Sequence, residues 1–172
     1  MSNEDGLVGD WDLALKDLDD RRFMRALKKE LRYALRRIGE RFVALSVKWI
    51  QGKKFAPNKP ATIARKGTST PLVEHGDLFR SITYDVRANE LTLWVGVNRQ
   101  EKNKKGDDLA NIAAFLHEGY SIKVKSAGKA DGVKAVPARP FIRGPMESRE
   151  FDDFAAKELD GAVYRALIAR AA

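Results

Sequence analysis

From Arg21 onward the apolar positions Phe23, Leu27, Leu31, Ala34/Leu35, Ile38, Phe42, Leu45 and Trp49 recur every three or four residues, the period of one face of an α-helix. No proline interrupts this run. Asp19 or Asp20 can cap its first turn, and Gly52 followed by Lys53 and Lys54 supplies a stop. The pattern predicts one helix over Arg21 to Ile50, roughly 45 Å long at a rise of 1.5 Å per residue. A compact domain of this chain length is about 40 Å across, so such a helix spans or overhangs the domain and offers its length to partners.

Beyond it the periodicity lapses. Residues 52 to 75 hold Pro57, Pro60, Pro71, two glycines and the run Gly-Thr-Ser-Thr, which reads as a long loop. Alternation then takes over. Ile82, Tyr84 and Val86 in Ser81 to Arg87, and Leu91, Leu93, Val95 and Val97 in Leu91 to Val97, predict two strands joined by a turn at Ala88-Asn89-Glu90, a hairpin with one buried face. The charged stretch Arg99 to Asp108 reads as a loop, and Asp107 or Asp108 is placed to cap a short helix through Leu109, Ile112, Ala113 and Leu116 that ends at Gly119. Tyr120 to Lys125 predicts a third strand, Ser126 to Lys134 a loop, and Val136 to Arg143 an extended segment whose prolines exclude helix. Gly144-Pro145 signals the start of a final helix over Pro145 to about Arg170, with Phe151, Phe154/Ala155, Leu159, Ala162/Val163 and Ala166/Leu167 on one face. No internal repeat and no long heptad run is present.

The expected fold is therefore α+β: a long N-terminal helix and a C-terminal helix packed on a small, mostly antiparallel sheet, with long loops. A chain of 172 residues that is 44% hydrophobic supports one core, so residues 21–172 are expected to form a single domain behind an N-terminal arm, residues 1–20. No stretch of eighteen apolar residues and no basic, apolar leader is found, which points away from membranes and toward synthesis in the cytoplasm. The chain has no cysteine, which excludes disulfides, thiolate zinc sites and cysteine nucleophiles.

Charge sharpens the division between arm and domain. The net charge of +8 suggests a polyanionic or acidic partner, but residues 1–20 carry seven acids against one lysine, whereas 21–54 carry twelve bases against Glu30 and Glu40. The arm can fold back on the basic helix or reach that of an adjacent copy. Arg25, Lys28, Lys29, Arg32, Arg36 and Arg37 make the helix a candidate surface for a phosphate backbone or an acidic protein. Its polar side carries no aromatic for base stacking, which favours a solvated face meeting acidic groups over a nucleic-acid site.

Chemistry beyond binding is sparse. His75 and His117 alone cannot form a three-ligand metal site, and His117-Glu118 lacks the second histidine of a zinc-protease helix because position 121 is serine. No phosphate-cradling glycine loop, dinucleotide turn or nucleophile elbow appears. Asp107-Asp108 and Asp152-Asp153 are adjacent in sequence, a spacing that suits helix N-termini rather than a shared reaction centre. No enzymatic activity and no cofactor is expected.

Four segments in order are distinctive: Pro71-Leu-Val-Glu-His-Gly-Asp-Leu-Phe-Arg-Ser-Ile82, Val95-Gly-Val97, Ile112-Ala-Ala-Phe-Leu-His-Glu-Gly119 and Val136-Pro-Ala-Arg-Pro-Phe-Ile142. Together they resemble the tail-completion and virion-morphogenesis proteins of tailed bacteriophages. Phe55, Pro57, Thr62 and Lys66 resemble that family's preceding loop, so the likeness covers about residues 50–150. It marks Gly76, Leu78, Ser81, Ile82, His117, Gly119, Pro137, Arg139, Pro140 and Phe141 as motif and interface candidates. Independently of it, Gly76 and Gly119 stand where positive φ is needed. Ser81 stands at a strand entrance, and the two prolines of Pro137-Ala-Arg-Pro140 stiffen a segment that can present Arg139 to a carboxylate, within the chain or on a neighbour. The resemblance implies a structural protein of the head–tail junction, a tail terminator or tail-completion factor. It implies a homo-oligomeric ring, commonly six-fold, between the tail-tube protein and the neck or portal complex, with genomic DNA passing through. The expected location is the virion tail and neck, after assembly in the host cytoplasm. A basic nucleic-acid-binding domain is the alternative reading.

Overall fold

The computed structural model describes residues 21–52, 54–72, 76–126 and 129–171, so Asp19, Asp20, His75 and the acidic arm lie outside the described residues. The fold is α+β, with long N-terminal and C-terminal helices and antiparallel strands. Helix α1 runs Arg21–Gln51 without a break. Its buried side chains Phe23, Ala34, Ile38, Phe42, Leu45 and Ile50 follow the helical period, while Leu27, Leu31, Leu35 and Trp49 are only half-buried.

Helix α1 packs chiefly against two elements, the first hairpin and the C-terminal helix. Across the turn at 88–91, where Leu91 adopts φ 50°, strand β1 (Ile82–Arg87) pairs antiparallel with β2 (Thr92–Val97) in the register Ile82↔Val97, Tyr84↔Val95, Val86↔Leu93. The alternating set thus lies on one face, as the period of two requires, and the Tyr84 ring sits directly over Gly39 of α1. The other contact is the C-terminal helix. Glu30 with Arg165 (2.8 Å), Arg37 with Glu158 (2.6 Å) and Arg41 with Glu150 (2.7 Å) ascend α1 while descending its partner, so the two helices are antiparallel. Ala162 and Ala166 are fully buried between them, where small side chains let the backbones approach.

Three expected boundaries change. Within the expected loop 52–75, Pro60–Lys66 forms a seven-residue helix, α2, with proline in its first turn and Gly67 at φ 71° closing it. Both ends are set by local backbone chemistry, and none of its side chains is fully buried. The expected loop 126–134 is largely strand: β4 (Lys129–Val136) pairs antiparallel with β3 (Tyr120–Ser126), with a register irregularity between Val124 and Ser126. The β structure is consequently two separate two-stranded hairpins. The final helix begins later than Pro145, which belongs instead to a short helix, α5 (Arg143–Met146). Ser148 then accepts the Phe151 and Asp152 backbone N–H groups at 2.9 and 3.1 Å through its carbonyl, and helix α6 runs Arg149–Ala171.

A short helix α3 (Asp77–Arg80) leads into β1, and helix α4 (Leu109–Glu118) lies between the hairpins. Asp108 is the cap of α4, accepting from the Ala110 and Asn111 N–H groups at 2.8 and 3.2 Å. The main cluster of buried apolar side chains joins Phe42 and Ile50 of α1 to Leu78, Ile82, Ala113 and Phe141, with Val95, Val97, Leu116, Ile142 and Phe151 packed on it.

Candidate docking cleft

Each of the four distinctive segments contributes to that one cluster: Leu78 and Ile82, Val95 and Val97, Ala113 and Leu116, Phe141 and Ile142. Local chemistry explains how they meet. Gly76 takes φ 81° ahead of α3, a left-handed conformation that costs glycine little. Ser81 is buried, and its hydroxyl donates to the Leu78 carbonyl at 2.7 Å, which ties off α3 where β1 starts.

Gly119 ends α4 at φ 78° with its N–H on the Phe115 carbonyl at 2.9 Å. A Cβ there would stand 2.7 Å from the Ala138 nitrogen and 3.0 Å from the Val136 oxygen, so only glycine lets the Pro137–Pro140 segment pass. That segment is fixed by the Arg139 N–H, which donates to the Leu116 carbonyl at 2.9 Å. The Pro140 carbonyl accepts from the Gly144 N–H at 2.8 Å, and Phe141 is fully buried with the His117 ring edge-on to it at 5.8 Å. His117 is thus a packing residue. Its Nδ1 is buried without a hydrogen-bond partner, and no group of three or more candidate metal ligands exists among the described residues.

Between α2, α4 and the second hairpin lies a cleft of about 500 Å³, within the volume range of pre-formed binding pockets. Leu78, Leu109, Ile112, Leu116 and Val136 contribute apolar lining, and among the described residues seven cationic side chains, Arg139 among them, line it against the carboxylates of Asp77 and Asp107. Arg139 makes no salt bridge among the described residues, and its Nε is buried without a hydrogen-bond partner. Burial pushes its guanidinium below the ordinary arginine value. The intrachain carboxylate that the sequence left open for Arg139 is thus not supplied by any described residue. Chemically the cleft is suited to an anionic group carried on an apolar body.

The basic residues of α1 do not line this cleft. Arg25, Lys28, Lys29, Arg32 and Arg36 are exposed, but Arg32 Nε donates to the Ala88 carbonyl of the first hairpin at 3.2 Å. Arg37 is engaged by Glu158, so it is part of the helix pair rather than of a free basic face. Lys59, Arg65, Lys104, Lys105 and Lys134 are the cleft residues that sequence reasoning did not single out. They come from three segments read as loops, and no spacing in the chain announces their convergence. No helix among the described residues is long and apolar enough to cross a membrane. No protein-family model matches the chain, and comparison with curated proteins and with solved structures returns no match.

Proposed function

We propose that the chain is a structural protein of the head–tail junction of a tailed bacteriophage, a tail terminator or tail-completion factor whose copies close into a ring. The supporting observation is the convergence of the four segments that carry the resemblance on one hydrophobic cluster, three of them also lining one cleft. Surfaces suited to edge-to-edge packing accompany it. Each hairpin has only two strands, so each strand has one side unpaired within its own sheet. Helix α6 exposes Leu159, Val163, Tyr164, Leu167 and Ile168, an apolar strip of the kind that marks interaction sites. In this reading the function is geometric: the ring caps the tail tube on one face, receives the neck or portal complex on the other, and passes DNA through its lumen.

Light scattering coupled to size-exclusion chromatography tests it, alone and with the tail-tube protein. The expected species has about six times the 19.3 kDa mass of one chain and appears as rings by negative-stain microscopy. A monomer under both conditions at high concentration overturns the proposal.

The exposed Arg25, Lys28, Lys29 and Arg36 favour the second reading, a basic nucleic-acid-binding domain. That reading requires duplex binding that falls steeply with salt and is abolished by charge reversal at Arg32 and Arg36.

A further inference from the structure

The cleft combines two features that neither a packed core nor a solvated surface needs. Among the described residues its lining has more cationic groups than carboxylates, and one of them, Arg139, has a buried Nε that nothing in the described chain satisfies. A buried guanidinium donor without an acceptor costs stability unless a partner supplies a carboxylate or phosphate. The apolar lining asks for an apolar group alongside that anion. A phosphate backbone meets the cations but leaves the half-buried Ile112 and Leu116 and the exposed Tyr120 and Ile122 uncovered, so nucleic acid satisfies half of the site. An acidic segment carrying a large side chain satisfies both halves.

The chain itself contains such a segment. Residues 1–20 carry seven acids against one lysine, and in Asp10-Trp11-Asp12 an indole is flanked by two carboxylates. A buried tryptophan removes about 150–250 Å² from water, and an aspartate on Arg139 would form a charge-assisted pair.

Ten residues separate Trp11 from Arg21, at most about 36 Å when fully extended. Helix α1 carries the chain about 44 Å from Arg21 to Ile50, and Ile50 belongs to the same cluster as Leu78 in the cleft wall. The extended segment falls short of the far end of its own α1 but not of Phe42, about 32 Å from Arg21 and in the same cluster, so the tether permits either copy and the ring packing proposed above favours the neighbour.

We propose that the cleft receives the Asp10-Trp11-Asp12 segment of a second copy of this chain, so that each subunit's acidic arm clasps its neighbour through Arg139. This rests on the proposed packing of copies in a ring and assigns that ring a specific link. Arm exchange of this kind adds intersubunit affinity through a tether rather than through a larger flat interface.

The absence of cysteine makes the test clean. Full-length Gly9→Cys protein is mixed with full-length Ala56→Cys protein, Ala56 being an exposed residue at the cleft. The mixture is oxidised and disulfide-linked peptides are identified by mass spectrometry, with the mass of the native sample measured by light scattering. The 9–56 heterodisulfide is expected to exceed the 9–9 and 56–56 products. It is expected to fall at least tenfold with Trp11→Ala in the arm, with Arg139→Gln in the cleft, and in 1 M salt. A ring in which the 9–56 link is at random level overturns the clasp and leaves the ring standing, whereas a monomer overturns both. Two further results overturn the clasp. One is an intrachain 9–56 disulfide in the Gly9→Cys/Ala56→Cys double variant at high dilution. The other is duplex-DNA retention that depends on Arg139 while the cross-link does not.

Discussion

The backbone N–H of Arg139 donates to the Leu116 carbonyl at 2.9 Å, so the main chain alone holds the Pro137–Pro140 segment against α4. The guanidinium has no share in placing it, and its Nε is buried without a partner. Arg139→Met, which keeps the apolar stem and removes the cation, is expected to fold normally. Removing an unsatisfied donor is worth on the order of 1 kcal/mol, or about 2–4 °C in Tm for a domain of this size. Thermal unfolding at dilutions where the chain is monomeric checks this, and a lowered midpoint would mean that the guanidinium has an intrachain partner.

Close approach at Gly39 makes a second prediction. A Cβ there overlaps the Tyr84 ring, and overpacking of this kind costs about 1–3 kcal/mol. The gain in helix propensity from glycine to alanine, about 1 kcal/mol, offsets only part of that. Gly39→Ala is therefore expected to lower the urea midpoint in the wild-type background and to raise it in a Tyr84→Ala background. Equal effects in both backgrounds would show that the ring does not rest on the glycine.

Tyr84 also titrates. Desolvation, followed by its neighbour Glu40, raises its phenol above the ordinary value of 10.0, and its hydroxyl donates to Glu40 Oε1 at 3.3 Å. The folded state thus holds the proton more tightly than the unfolded state, so its contribution is intact below pH 10 and is lost as pH rises through the elevated folded value. Urea titrations from pH 9 upward are expected to show wild-type stability falling more steeply than that of Tyr84→Phe. Parallel slopes would remove Tyr84 as the cause.

The pairing of α1 with α6 rests on few charges in a part-buried setting. Arg37 Nε meets Glu158 Oε2 at 2.6 Å, with the Glu158 side chain 19% exposed, and Arg37 Nη2 is buried without another partner. Glu158→Gln is expected to cost about 1 kcal/mol, near the upper end for exposed pairs. The charge exchange Arg37→Glu with Glu158→Arg is expected to recover part of the loss of either single change. Chemical denaturation of the four proteins measures the coupling, and additivity would assign the helix pairing to apolar contact alone.

What local sequence determined here is what depends on neighbours in the chain. The unbroken apolar period made α1 legible almost to the residue. Alternation fixed the faces of the β1–β2 hairpin, the carboxylate of Asp108 announced the start of α4, and glycine marked its end at Gly119. Where those signals are faint, tertiary pairing or a cap decides. Lys129–Val136 has little apolar alternation and is a strand because β3 offers it hydrogen bonds. Pro60–Lys66 has no fully buried face and is a helix because Pro60 and Gly67 punctuate it. The start of α6 moved because Ser148 satisfies the Phe151 and Asp152 N–H groups.

The motif residues were visible as candidates one segment at a time, but their meeting was not. Leu78, Ile82, Leu116 and Phe141 share a cluster because chain reversals at Gly76 and Gly119 bring distant segments together. Lys59, Arg65, Lys104, Lys105 and Lys134 converge for the same reason. The sequence by itself determined the length of α1, the split of charge between the arm and α1, and the stiffness around Arg139. Only the tertiary structure decided that Arg37 is spent on Glu158, while Arg139 stands in a cationic cleft with its Nε buried and unpartnered. The physical reason is that a charge acquires its partner through space, and a linear pattern records only the periodicity of the chain that carries it there.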